Sequence, residues 1–336
     1  MKTKINHEGD KVWLEGIKGW SASEKASSVH AAFEAIMKAL EEDISYDYLV
    51  GISSLAFRMQ IAELCPSSPH PACGYNCVER ALQVLPWKLK GYNIEQNKIE
   101  NPIEIYEMIV QSINKGIPVT TGEEDDGLII GYQKENKEFI CLHPWHHNGK
   151  KPFVVSSLAE ICWGIGIITE RKTEIIDHRI LIIDSLKQAV KMAKKKRIKN
   201  YYLGFKAWEQ YIKSLKKLNE NRQTINDDYI LGNAWIYECL VQYREVAANY
   251  LTLIVDQFNE TVKKRLRSAS SLYSHISQDI LKYDKGFKEI TGDYNSLKKS
   301  VKWTKEMYQD QIKRLENALL LEIQAINEIE RALSSI

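Results

Sequence analysis

Proline is missing from the second half of this chain. All eight prolines lie between Pro66 and Pro152, and thirteen of the 17 glycines lie at or before Gly166. Because proline and glycine interrupt regular helices, their scarcity beyond this point predicts long helices there. The composition therefore predicts two domains, residues 1–172 and 178–336.

Long apolar runs, an excess of one charge and a dense set of cysteines are also missing. No uninterrupted apolar run approaches the roughly 20 residues of a membrane helix. The charged N-terminus has no apolar core after it, so we expect no secretory signal. The formal net charge is only +2, from 46 basic and 44 acidic residues, which predicts neither a nucleic-acid nor a membrane partner. Six cysteines are too few for a disulfide framework at this length. We expect a cytoplasmic protein.

The first part of the chain contains several helical patterns. Apolar residues recur at helical spacing between Val29 and Leu40, and Ser21 or Ser23 is predicted to cap this helix. A second helix is predicted from Tyr46 through Leu64, and a third has Pro102 near its first turn and ends just before Gly116. Another short helix begins near Cys77.

Alternating apolar and polar residues follow. Residues 117–122, 127–133 and 138–144 have this pattern, and a turn at Glu135 and Asn136 joins the last two. Residues 161–170 predict a further strand. Helices followed by antiparallel strands indicate an α+β domain.

The second part is predicted to be helical throughout. Residues 226–266 and 297–333 each read as one long amphipathic helix. Such helices favour an all-α helical bundle, and the C-terminal one could pair with a copy of itself in a homodimer. The basic run 194–199 fits a solvated helix end better than a phosphate site, because the rest of the chain is not basic.

The cysteines and histidines suggest two kinds of site, a zinc site and a catalytic pair of a cysteine and a histidine. The spacing of Cys65, His70, Cys73 and Cys77 departs from that of paired zinc ligands, so we predict neither a metal nor a cofactor. Cys77 would lie at a helix N-terminus, where the backbone dipole favours a thiolate nucleophile. His143 or His147 would then be its base; the alternative is an inert core cysteine.

Two stretches carry a resemblance to known proteins. The stretch "SSVHAAFEAIMKALEEDISYDYLVGISSLAFRM" resembles the N-terminal region of proteins similar to the butirosin-biosynthesis acyltransferase, a region related to the peptidase domains of bacteriocin-processing transporters of bacteria. The stretch "GIPVTTGEEDDGLIIGYQKENKEFICLHPW" resembles the strand hairpin of the same family. The resemblance implies a papain-like, cysteine-peptidase-type fold for the first domain. It also implies acyl transfer or amide hydrolysis by a Cys, a His and an Asp.

The positions that match those three residues carry other side chains. Ser28 stands at the nucleophile position, Asp126 at the base position and His143 at the position of the orienting aspartate. A serine without an adjacent imidazole is a weak nucleophile. An aspartate accepts a proton near neutral pH only if burial raises its pKa.

Three readings follow from these departures. The first is a catalytically degenerate protein, a pseudoenzyme that binds a small molecule or peptide, including an acyl group borne on a carrier protein, in the inherited cleft. The second is an active hydrolase or acyltransferase in which Cys77 or Cys73 is the nucleophile, His143 the base, and Asp125 or Asp126 the orienting group. The third is a helical protein-interaction module. We expect the first.

Overall fold

The computed structural model describes residues 3–62, 76–94, 102–122, 125–160, 164–221, 227–282 and 304–336. The chain has a mixed α/β structure. It divides by contacts into two compact units, Met1–Leu49 with Ala81–Ile175 and Val50–Arg80 with Ile176–Ile336. This division differs in one segment from the predicted domains, which assigned residues 50–80 to the first.

The strands are numbered in chain order: β1 Lys4–Glu8, β2 Lys11–Glu15, β3 Gln60–Ala62, β4 Trp87–Asn93, β5 Val119–Gly122, β6 Gly127–Gln133, β7 Glu138–Leu142, β8 Phe153–Val155, β9 Gly164–Arg171, β10 Arg197–Ile198 and β11 Tyr201–Leu203. The α-helices are α1 Ser28–Ala39, α2 Tyr46–Ile52, α3 Cys77–Val84, α4 Pro102–Asn114, α5 His178–Lys194, α6 Phe205–Asn221, α7 Asp227–Ile254, α8 Glu260–Ser274 and α9 Lys305–Leu333.

The first unit is built on an antiparallel sheet of eight strands. Its order is β1-β2-β6-β5-β9-β4, with β7 paired to β6 and β8 paired to β7. The predicted strands β5, β6, β7 and β9 are confirmed, whereas β1, β2, β4 and β8 were not predicted. Helix α1 packs against β5 and β6, and α4 contacts β2, β5, β6 and β9.

Helix α1 begins later than predicted. Neither Ser21 nor Ser23 caps it, because the chain first makes a turn in which Ser21 O accepts the N–H groups of Glu24 and Lys25. The helix starts at Ser28 instead. Helix α4 is confirmed, and Gly116 follows it with a left-handed φ of 80°, as expected for a glycine that ends a helix.

The predicted helix from Tyr46 through Leu64 is wrong beyond Ile52. Ser54 has a left-handed φ of 65°, and the hydroxyl of Ser53 donates to Val50 O at 2.9 Å. The left-handed backbone of Ser54 and this hydrogen bond end the helix. The chain then forms a short 3₁₀ turn and strand β3, which pairs with β11.

The second unit is not helical throughout, so the predicted all-α bundle is also wrong in part. Strands β10, β11 and β3 form a three-stranded sheet, and β10 falls within the basic run 194–199. The predicted helix over 226–266 is broken between α7 and α8, where Asn259 Oδ1 accepts the N–H of Val262 and caps α8. Helix α9 is confirmed from Lys305, and the start of the prediction at 297–303 lies outside the described residues.

A buried ion pair crosses the core of the second unit. Arg244 on α7 donates to both carboxylate oxygens of Glu322 on α9 at 2.8 Å, and it also donates to the carbonyls of Ala56 and Arg58 at 3.1 Å. These bonds tie the segment before β3 to the helices. None of the helices in the described part of the chain is long and apolar enough to cross a membrane.

Candidate functional site

Three elements of the first unit bring Ser28, Asp126 and His143 together. Ser28 is the first residue of α1, Asp126 directly precedes β6, and His143 directly follows β7. Because β6 and β7 pair with Leu128 opposite Leu142, the start of one strand lies beside the end of the other. Ser28 and His143 are each 7% exposed.

Ser28 is in direct contact with Asp126. The backbone N–H of Asp126 donates to Ser28 Oγ at 2.8 Å, and the nearby Ser28 hydroxyl lowers the pKa of the Asp126 carboxyl group. The bond from the backbone positions the Ser28 side chain. The N-terminus of α1 is therefore attached to the start of β6.

The carboxyl group of Asp126 has a strongly raised pKa. Burial, which is the largest cause, and the neighbouring charge of Asp125 together raise its pKa from 3.8 to about 8, against a smaller lowering by the Ser28 hydroxyl. The residue keeps part of its surface exposed, but protein surrounds the carboxyl group itself. At neutral pH Asp126 is therefore mostly protonated.

Both ring nitrogens of His143 are occupied by backbone groups. Its Nδ1 lies 3.3 Å from the backbone N–H of Trp145, and its Nε2 lies 3.1 Å from the carbonyl oxygen of Asp125. An N–H must donate to Nδ1 and a carbonyl must accept from Nε2, so the ring carries its proton on Nε2. Burial lowers the pKa of His143, as does nearby His146, whereas the bond to Asp125 raises it. The net effect favours the neutral ring.

Asp125 and Trp145 form the outer part of the site. The indole Nε1–H of Trp145 donates to Asp125 Oδ2 at 2.5 Å, and the Trp145 side chain is 39% exposed. From the sequence alone, Trp145 is only one of several aromatic residues that could line a cleft, with Trp20, Tyr132 and Trp163. Its bond to Asp125 could not be read from a pattern, because it depends on the turn that follows β7.

Gly127 allows the two strands to approach each other at the site. A Cβ at this position would lie 2.6 Å from Leu142 O and 2.9 Å from His143 Cδ2, so a larger residue would displace the imidazole. The N–H of Gly127 donates to Thr121 Oγ1 at 2.9 Å. Thr121 was not predicted as a site residue.

The structure does not bring all of the predicted site residues together. Cys77 begins α3 as predicted, but it is fully buried and belongs to the second unit, whereas Asp126 and His143 belong to the first. Cys73 lies outside the described residues. Within the described part of the chain, no group of three His, Cys, Asp or Glu side chains could hold a metal ion.

Described residues of the first unit line one cavity of about 660 Å³ and another of about 440 Å³. Both are lined by the segment Gly16–Gly19, and neither is lined by Ser28, Asp126 or His143. Their volumes lie within the usual range of small-molecule sites.

Comparison with known proteins adds no assignment. A scan against models of protein families found no match for this chain, and a search of curated proteins found none either.

Proposed function

We propose that the first unit is a papain-like domain that has lost its acyl-transfer chemistry and binds a small molecule or a peptide. The resemblance of two stretches to the butirosin acyltransferase-like and bacteriocin-peptidase-like proteins supports the architecture. So does the convergence of Ser28, Asp126 and His143, which stand at the positions of the family's nucleophile, base and orienting residue.

The proposal that catalysis is lost rests on the two backbone hydrogen bonds of the His143 imidazole. A serine becomes a nucleophile when a neighbouring base takes its proton. Both nitrogens of His143 are bonded to backbone groups, and the Asp126 carboxyl group beside Ser28 is protonated at neutral pH. Among the described residues, neither His143 nor Asp126 is therefore available as a base for Ser28.

Labelling with a fluorophosphonate tests this loss directly, because the reagent forms a stable bond with activated serines. We expect no modification of Ser28 at neutral pH when the products are mapped by mass spectrometry. An active serine hydrolase in the same reaction is the positive control. Stoichiometric modification of Ser28 that disappears in the His143→Ala variant would contradict the proposal.

The hypothesis that Cys77 or Cys73 is the nucleophile requires a separate measurement. A fully buried Cys77 should react slowly with iodoacetamide from acid to alkaline pH. Rapid reaction of Cys77 or Cys73 well below its ordinary pKa, lost in His143→Ala, would restore the Cys–His hypothesis.

The contact between Asp126 and Ser28 favours a second candidate, serine-dependent acyl transfer at alkaline pH. Once ionised, Asp126 would accept the hydroxyl proton while Ser28 Oγ forms an ester with the acyl carbon. The bond to the leaving group breaks, and that group takes the proton from Asp126. This function predicts that hydrolysis of p-nitrophenyl acetate rises through a pKa of about 8. It also predicts that the rise is lost in both Ser28→Ala and Asp126→Asn; an unchanged profile in these variants would exclude it.

A further inference from the structure

The larger cavity of the first unit runs along one face of α1. Ala31, Ala35 and Ala39 line it at intervals of four residues, so they lie on the same face of the helix. The segment Gly16–Trp20 and the residues after α1 form further parts of its wall. Ala31 is almost fully buried, so Ala35 and Ala39 form the apolar floor that a side chain of a ligand can cover.

Two lysines and one carboxylate form a charged group in this wall. Glu34 on α1 is bonded to Lys25 through Oε2 and to Lys38 through Oε1, and its side chain is only 8% exposed. Because two ammonium groups share one carboxylate, one positive charge has no counterion within the group. Lys18 lines the same cavity and forms no ion pair with any residue the structure describes.

The residues after α1 contribute carboxylates to the same cavity. Glu42 is already bonded to Trp87 Nε1 at 2.9 Å and to Arg171 at 3.1 Å. Asp43 is exposed and has neither a hydrogen bond nor an ion pair within the described ranges. Lys18 and Asp43 are thus the charged residues of this wall that have no ion pair with any described residue.

Trp20 also lines the cavity, but its indole nitrogen does not face it. The residue is 3% exposed, and its Nε1 atom is buried without an acceptor in the part of the chain that is described. The polar contacts of a ligand are therefore expected from the lysines and Asp43.

We propose that this cavity binds a zwitterionic small molecule of the amino-acid or short-peptide class. The ligand's carboxylate faces Lys18 and Lys25, its amine faces Asp43, and its apolar side chain covers the alanine floor. The inference rests on the proposed binding function and names a place and a ligand class for it.

Isothermal titration calorimetry with leucine, phenylalanine and the dipeptide Ala-Leu tests this assignment. At least one of the three should bind, and both its N-acetyl and C-terminal amide derivatives should bind at least about tenfold more weakly, since each removes one charge. Ala35→Phe, which fills the floor, should abolish binding. Lys88→Met, at an exposed lysine that does not line the cavity, should bind like the wild type.

Three results would overturn the inference. One is the absence of binding by all three probes at about 10 mM, well above a weak dissociation constant. The others are equal affinity for a blocked derivative and wild-type affinity in Ala35→Phe. Asp43→Asn, at an exposed position where folding is not at risk, should weaken binding of the free amine but not of the N-acetyl form. None of these failures bears on Ser28, whose labelling tests the proposed loss of catalysis separately.

Discussion

Replacing Asp126 by asparagine should stabilise the protein at neutral pH. Asparagine has nearly the same shape as the protonated carboxyl group, and it cannot ionise. In the native state the carboxyl group has a pKa of about 8, against an ordinary value of 3.8. The unfolded chain therefore releases a proton that the folded chain keeps, and stability falls as the pH rises from about 4 to about 8.

The size of the effect follows from the same pKa shift. One pKa unit corresponds to about 1.36 kcal/mol, and pH 7 lies about three units above the ordinary pKa of the carboxyl group. Keeping Asp126 neutral thus costs the native state about 4 kcal/mol at pH 7. Asp126→Asn should recover most of that free energy of unfolding.

The pH profile distinguishes this cause from a general change in packing. Burial lowers the pKa of His30 from 6.5 to about 3, so its contribution is present above about pH 6.5 and lost as the pH falls. Between about pH 4 and 6.5 the contributions of Asp126 and His30 to the pH dependence of the free energy of unfolding have opposite signs and nearly cancel. Above about pH 6.5 only the contribution of Asp126 remains, and it should vanish in Asp126→Asn.

Urea unfolding followed by tryptophan fluorescence, from pH 4 to 9, measures these slopes. Asp126 and His30 both belong to the first unit, so they act on the same transition. Asp43→Asn, at an exposed carboxylate without a partner among the described residues, is the matched control and should change stability by less than about 0.5 kcal/mol. If Asp126→Asn is no more stable than the wild type at pH 7 and keeps its slope, the carboxyl group is not protonated and the reasoning fails.

Three further substitutions have expected results that urea unfolding can check. Between pH 6.5 and 5 the stability of His30→Gln should rise by about 2 kcal/mol relative to that of the wild type; the same pH dependence in both proteins would contradict a neutral His30. Glu322→Ala leaves Arg244 buried without its partner and should cost about 3–5 kcal/mol, and a cost below about 1 kcal/mol would argue against the ion pair. Gly149→Ala places a Cβ 1.9 Å from a backbone oxygen at a φ of 67°. It should cost more than Gly9→Ala, whose φ of 59° is similar but whose surroundings are open.

The sequence correctly predicted the helices and strands whose ends are set by residues close by in the chain. Pro102 and Gly116 bracket α4 because one fits the first turn of a helix and the other its end. The hairpin of β6 and β7 followed from its alternating residues. Helix α2 was extended too far because Ser53 and Ser54 fit a helical pattern, and nothing local shows that β3 pairs with β11 some 140 residues later.

The sequence predicted which positions form the candidate site, but not the protonation states of their side chains. The resemblance indicated Ser28, Asp126 and His143, which the structure brings together. The raised pKa of Asp126 depends on burial and on the charge of Asp125, and the tautomer of His143 depends on two backbone groups. Neither is encoded in residue spacing. The pairing of Cys77 with His143 rested on residue types alone, and the two residues belong to different units.

We proposed that Ser28, Asp126 and His143 occupy the places of a papain-like Cys, His and Asp. The most direct test is to restore those residues in the variant Ser28→Cys/Asp126→His/His143→Asp and to follow iodoacetamide labelling at position 28 by mass spectrometry near pH 6. Circular dichroism of each variant verifies the fold. The account predicts that the introduced thiol reacts much faster in the triple variant than in Ser28→Cys alone, since an adjacent imidazolium lowers a thiol pKa. Equal, slow labelling in two folded variants would contradict it.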